Sequence, residues 1–157
     1  MFLKNKRIFI IMKKQLFAAC LLISSFSVAF AQNLSGTWEG VITQEKGGIL
    51  DNYTFKIYMQ VKKDGLVKGT AYVRADEFDI YAFMQFKGTF DGTYIRIEED
   101  EILRQKVKDE ISWCIKDYKL KLISSDKLRL EGKWRGYAKT GACVPGEIYL
   151  TKSEPRA

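Results

Sequence analysis

Histidine is absent from the 157-residue sequence, and this absence removes whole classes of chemistry. Without an imidazole the chain cannot build a Ser-His-Asp or Cys-His nucleophilic site, and most zinc sites lose their usual ligand. An enzyme built on this chain would have to use carboxylates, lysine or tyrosine. The sequence therefore leaves catalysis open but favours a non-catalytic protein, and it predicts no metal site and no cofactor.

Helical periodicity is also missing. No stretch repeats apolar residues at the spacing of an amphipathic helix, which crossovers between parallel strands would need. Apolar and polar residues instead alternate almost throughout, most clearly in residues 53–61, where the odd positions are apolar and the even positions are mostly polar. A period of two indicates strands with one buried face. The sequence therefore predicts an all-β domain.

Eight candidate strands follow one another and are joined mostly by short turns, several of them marked by glycine. We expect them to close into an antiparallel up-and-down barrel, because closure leaves no unpaired sheet edge. The alternative is a two-sheet β-sandwich. Residues 98–110 are highly charged and predict an irregular strand end and a loop, with a short helix as the alternative. The predicted strands cover residues 36–43, 53–61, 67–74, 80–90, 93 onward, 111–123, 127–137 and 147–152.

The N-terminal segment has the features of a secretory leader. Five basic residues precede or adjoin an apolar run over residues 16–30, and an A-x-A cleavage pattern ends at Ala31. Cleavage there makes residues 1–31 a signal peptide and residues 32–157 a single barrel domain, located in the periplasm or secreted. Met12 is an alternative start, since a compact leader also begins there.

Two alternatives to a cleaved leader are disfavoured. The apolar run is shorter than the roughly 20 residues that a membrane span needs, so no span is expected after cleavage. Lipidation at Cys20 is disfavoured because most of the apolar segment follows that residue. Removing the leader leaves 21 basic and 19 acidic residues, a net charge of +2. No basic cluster interleaved with exposed aromatic residues survives, and no nucleic-acid partner is predicted.

Cysteine is scarce, and its positions favour a disulfide. Cys20 lies in the leader, which leaves Cys114 and Cys143 as a pair in an oxidising compartment. The pair lacks C-x-x-C spacing, so a redox or metal site is disfavoured. A bridge that closes a loop of this length stabilises the folded state by roughly 3–4 kcal/mol in the chain-entropy model. It would hold the neighbouring Trp113 either as the stacking wall of a pocket or as a core residue.

A Gly-x-Trp motif, formed by Gly36 and Trp38, opens the first strand, and a near copy around Trp134 lies in the seventh. In strand one of an eight-stranded meander this motif resembles the calycin superfamily, which includes lipocalins, fatty-acid-binding proteins and avidins. The length and the lack of a C-terminal helix are similar to those of avidin-like barrels. The resemblance implies that Trp38 closes one barrel end near a basic residue of a late strand, with Arg135 or Lys133 as candidates.

Three function classes remain after these exclusions. The first is an exported, non-catalytic barrel that binds a small, partly apolar or amphipathic ligand in a cavity of a few hundred Å³. The second is a periplasmic or secreted interaction module for a protein or envelope polymer, with a packed interior and an exposed apolar or aromatic patch. The least favoured is a carboxylate-dependent, glycan-active enzyme, for which Glu98 and Asp100 are candidates on one strand face. The predicted ligand-lining residues are Phe55, Ile57, Met59, Met84, Phe86 and Trp113.

Overall fold

The computed structural model describes residues 34–108 and 112–154, and within these ranges it contains nine β-strands. The predicted leader and the alternative start lie outside the described residues. A short 3₁₀ turn, Asp76–Phe78, connects the third strand to the fourth. The strands are β1 (Gly36–Thr43), β2 (Asn52–Val61), β3 (Leu66–Ala75), β4 (Ile80–Phe90), β5 (Tyr94–Lys106), β6 (Ile115–Ser124), β7 (Leu128–Ala138), β8 (Gly141–Ala142) and β9 (Gly146–Lys152).

Antiparallel pairing closes eight of these strands into one barrel. Each strand from β1 to β7 pairs with the next along the chain, β7 pairs with β9, and β9 returns to pair with β1. The two-residue β8 pairs with the end of β7. The predicted eight-stranded up-and-down barrel is confirmed, and the two-sheet sandwich is excluded because no edge separates two sheets. No helix in the described part of the chain is long and apolar enough to cross a membrane.

The strand β5 agrees with the irregular strand end and loop predicted for residues 98–110, but it reaches further than expected. It continues to Lys106, residues 107 and 108 lie outside any strand, and β6 begins at Ile115 instead of position 111. The register between β4 and β5 shifts twice, between Phe83 and Met84 and between Gln85 and Phe86. Each β-bulge inserts one extra residue and moves the alternation out of phase. The alternation of apolar and polar residues is therefore interrupted within β5, although the strand itself continues.

The barrel interior is filled by one apolar cluster to which all eight closing strands contribute. At the end where β1 begins, Trp38 is fully buried and its Nε1 donates a hydrogen bond to the Leu34 carbonyl, at 3.0 Å. Gly36 has a φ of +122°, a conformation that side chains rarely adopt, so the chain enters β1 at a residue that only glycine suits. We call this end of the barrel the closed end.

The opposite end, where β1 finishes, carries the connections that follow β1, β3, β5 and β7. Here Cys114 and Cys143 form a disulfide with an S–S distance of 2.04 Å. The predicted bridge is confirmed, and it ties the segment before β6 to the segment before β9. We call this end the open end, because the cavity described below lies there.

Candidate ligand site at the open end of the barrel

A cavity of about 50 Å³ lies at the open end. It is much smaller than the few hundred Å³ that the sequence interpretation expected. Its wall combines aliphatic, aromatic and polar side chains, among them Val73, Ile80, Tyr53, Trp113, Trp134 and Lys116.

The structure divides the six predicted lining residues between the cavity wall and the filled barrel interior. Trp113 lines the cavity, as the stacking-wall interpretation requires. The other five are buried and fill the barrel interior instead of the cavity wall. An eight-stranded barrel is just wide enough for its inward side chains to fill it, so large residues at those positions leave little space. These five residues are Phe55, Ile57, Met59, Met84 and Phe86.

Two tryptophans of the cavity wall differ in how their indole N–H groups are satisfied. Trp134 Nε1 donates to the carbonyl of Thr43 at 2.8 Å. Trp113 packs its ring edge-to-face against Tyr53, with centroids 6.4 Å apart. Its Nε1 is buried and has no hydrogen-bond partner among the residues that the structure describes. Buried donors of this kind are uncommon in folded proteins.

An ion pair lies beside the cavity, inside the barrel. Lys116 Nζ is 2.8 Å from Glu99 Oε2, and the two side chains are 4% and 0% exposed. The backbone N–H of Lys116 also donates to Glu99 Oε2 at 3.0 Å, and the Tyr118 hydroxyl donates to Oε1 at 3.4 Å. Burial raises the pKa of Glu99, although Lys116 acts against that rise. Burial, followed by the nearby Glu99 charge, raises the pKa of Tyr118 well above its usual value.

Sequence reasoning missed this pair, although strict alternation would have placed each of the two side chains inside the barrel. Glu99 follows Ile95 and Ile97 on the inward phase of β5, and Lys116 precedes Tyr118 on the inward phase of β6. Continuing the inward-facing positions by one more residue on each strand places an acidic and a basic side chain inside the barrel. Such groups are rarely buried unless they pair with each other.

Gln44 fastens the loop that covers the cavity. Its Oε1 accepts hydrogen bonds from the Tyr53 hydroxyl at 2.5 Å and from the Ile49 backbone N–H at 3.2 Å. Its Nε2 donates to the Val144 carbonyl at 3.3 Å. A Cβ added at Gly48 would lie 2.6 Å from Gln44 Cβ, so the loop packs onto this side chain only with glycine at position 48. Gln44 therefore connects the loop 44–51 to the segment before β9.

The basic residue opposite Trp38 is Lys152. The two residues face each other across the β1–β9 pairing, whereas Arg135 and Lys133 are exposed on the outer face of β7. Partial burial lowers the pKa of Lys152. The calycin resemblance pointed to a basic residue on a late strand, and β9 supplies it because Lys152 continues the inward phase of Ile148 and Leu150.

The two acidic residues that the enzyme alternative named lie on the outer surface. Glu98 and Asp100 are exposed, and the buried acid between them, Glu99, is bound to a lysine. Within residues 34–108 and 112–154, no group of three or more histidine, cysteine or acidic residues is arranged to hold a metal ion.

A second feature lies on the outer surface of β3 and β4. Tyr72, Tyr81 and Phe83 form a cluster in which the Tyr72 and Phe83 rings are 4.6 Å apart and Tyr81 lies about 6 Å from both. Phe83 is 38% exposed, and Tyr58 on neighbouring β2 is 50% exposed. We call these four residues the outer aromatic patch.

The closed barrel, with its Gly-x-Trp motif at one end, is an avidin-like, calycin-type fold. Among solved structures, the chain is similar to apo shwanavidin in its P21 crystal form, with a TM-score of 0.50 and 14% identity. That match covers 77% of this chain and 98% of the other. No protein-family model matches the sequence, and no curated protein matches it. The likeness therefore establishes the fold.

Proposed function

We propose that this protein is an exported, non-catalytic barrel that binds a small, partly apolar ligand at its open end. The observation that carries the proposal is the contrast between the two ends of the barrel. Trp38 and Leu34 seal the closed end, whereas the open end has a cavity with aromatic walls and a rim held by the Cys114–Cys143 bridge. Ligand sites in barrels occur at such mouths, with mostly apolar walls and a few placed polar groups.

Export is supported by the leader pattern and by the disulfide, which persists in oxidising compartments. A non-catalytic role is supported by the absence of histidine and by the pairing of Glu99 with a lysine instead of a second acid.

The small cavity sets a condition on binding. A ligand larger than this cavity would require the loop 44–51 to move outward, with loss of the three Gln44 hydrogen bonds. Loop rearrangements of this kind accompany binding in a substantial minority of complexes.

The test is native mass spectrometry of the protein purified from its own cell envelope, followed by denaturation. We expect a native adduct that disappears on unfolding, and a denatured mass that begins at Gln32 and lacks the two hydrogens lost to the disulfide. The variant Val73→Phe, which fills the cavity, should lose the adduct, whereas Val41→Phe on the outer face should keep it. An adduct retained by Val73→Phe would place binding elsewhere.

The outer aromatic patch favours a second candidate function, an interaction module for a protein or envelope polymer. The largest apolar patch on a monomer is often functional. A photo-crosslinking residue at position 83 should capture a discrete partner in cells, and the same residue at position 121, on the outer face of β6, should not. Equal capture at both positions, or none at position 83, contradicts this candidate.

A further inference from the structure

We propose that the ligand of the open-end cavity is an uncharged molecule that presents a hydrogen-bond acceptor to the indole N–H of Trp113. This inference rests on the proposed function and adds the chemical class of the ligand. It follows from which polar groups around the cavity already have partners, and from how the charges beside the cavity are balanced.

The acceptor is inferred from Trp113. This residue lines the cavity, its Nε1 is buried, and no described residue accepts its hydrogen. Leaving a buried donor without a partner destabilises a folded protein. Trp134 lines the same cavity, yet its Nε1 donates to the Thr43 carbonyl. A ligand oxygen or nitrogen would give Trp113 the hydrogen bond that Trp134 obtains from the backbone.

Three other polar side chains of the cavity wall, Gln44, Tyr53 and Lys116, already make hydrogen bonds, whereas none is observed for the Ser112 hydroxyl among the described residues. The Gln44 amide uses both its oxygen and its nitrogen, and the Tyr53 hydroxyl donates to Gln44. Lys116 directs its ammonium group to Glu99, to the Cys114 carbonyl at 3.1 Å and to Met84 Sδ at 3.4 Å. A lysine has three N–H donors, so these contacts use them all.

The ligand is uncharged because the ion pair beside the cavity balances itself. Lys116 and Glu99 contribute one charge of each sign and lie 2.8 Å apart. A carboxylate or an ammonium group entering the cavity would lose its hydration without gaining a counter-ion, and burial of an unpaired charge is strongly unfavourable. A neutral molecule with an apolar body loses little hydration and gains contact with Val73, Ile80 and the aromatic wall.

Two sets of matched probes test the proposal. Acetophenone and α-methylstyrene differ by a carbonyl oxygen against a methylene, and so test the acceptor. Benzamide, benzoate and benzamidinium share one shape and differ in charge. Binding is followed in ¹H–¹⁵N spectra of tryptophan-labelled mature protein, in which Trp113→Phe identifies the Trp113 indole signal. Each probe is also titrated into Gln44→Ala, which removes the side chain that fastens the loop over the cavity.

We expect acetophenone to bind about threefold to tenfold more tightly than α-methylstyrene, the range set by one net hydrogen bond. Its binding should shift the Trp113 indole proton. Benzamide should bind at least tenfold more tightly than either charged analogue. Trp113→Phe should abolish the preference for acetophenone, whereas Tyr149→Phe, at an exposed position of β9 outside the cavity lining, should retain it.

The outcomes separate the two proposals. Binding of α-methylstyrene as tightly as acetophenone, an unchanged preference in Trp113→Phe, or tighter binding of a charged analogue overturns the ligand class while leaving the open-end site intact. A lack of any response to all five probes, in both the wild type and Gln44→Ala, contradicts the open-end site and the ligand class together.

Discussion

Lys116 and Glu99 form an ion pair inside an otherwise apolar barrel, with Nζ and Oε2 2.8 Å apart. The same carboxylate oxygen accepts the backbone N–H of Lys116, at the point where β6 begins. The β5–β6 pairing ends at Glu98 and Asp117. The Glu99 side chain thus accepts a backbone hydrogen bond one residue beyond that last pair. The pair lies just before the bulged part of β5.

Replacing Lys116 with methionine should destabilise the protein by about 3–5 kcal/mol at pH 7, since Glu99 then becomes a buried, unpaired anion. The loss should shrink as the pH falls. Glu99 already has a raised pKa, and removing Lys116 raises that pKa further. A group with a raised folded-state pKa contributes stability that is present below its unfolded pKa and is lost as the pH rises through the folded value.

Urea unfolding of Lys116→Met at pH 7 and at pH 4 measures this effect. Lys121→Met, which removes an exposed lysine from the same strand, is the matched control and should be nearly neutral. Adding Glu99→Gln to Lys116→Met should restore most of the stability at pH 7. A deficit that does not change with pH would contradict the role of the Glu99 charge.

Asp91 should contribute stability that disappears in acid. Its Oδ1 accepts the backbone N–H groups of Tyr94 at 2.7 Å and Thr93 at 3.0 Å, and these hydrogen bonds lower its pKa. A lowered carboxyl pKa gives stability that is present above the unfolded value, about 3.8, and is lost as the pH falls through the folded value. Asp91→Ala should therefore melt below the wild type at pH 7, and the difference should narrow towards pH 2. A constant difference across thermal melts in that range would refute the assignment.

Breaking the Cys114–Cys143 bridge should cost roughly 3–4 kcal/mol, because the bridge closes a loop with a sequence separation of 29. Denaturant unfolding of the double serine variant measures the cost. Addition of a reductant should lower the stability of the wild type to that of the variant and leave the variant unchanged. A reductant effect of similar size on both proteins would mean that the measured loss has another source.

Gln44→Ala should release the loop 44–51 while preserving the barrel. Three hydrogen bonds are lost, each worth about 0.5–1.5 kcal/mol, so global stability should fall by about 1.5–4.5 kcal/mol. The sharper readout is hydrogen exchange at the Ile49 amide, which should accelerate far more than exchange at amides of β1 and β2. Gln60→Ala, at an exposed position of β2, is the control. Equal acceleration throughout the barrel would indicate general destabilisation instead of local release.

The predicted lining residues show the limit of pattern reasoning at the site. Phe55 and Met84 were correctly placed on inward phases, since both are fully buried. Whether an inward side chain faces a cavity or fills the core depends on residues across the barrel, and hollow and filled small barrels share the same alternation. Trp113 could be placed near the rim because its neighbour Cys114 was expected to form a disulfide.

The sequence by itself determined the all-β class, the order of the eight closing strands and the disulfide. Alternation, turn residues and cysteine pairing are local or compositional signals, and they need no knowledge of distant neighbours. Only the tertiary structure decided that β5 continues through two bulges, that Lys152 lies opposite Trp38, and that Glu99 meets Lys116. These features depend on register and closure, which bring together residues whose separation in the chain carries no signal of contact.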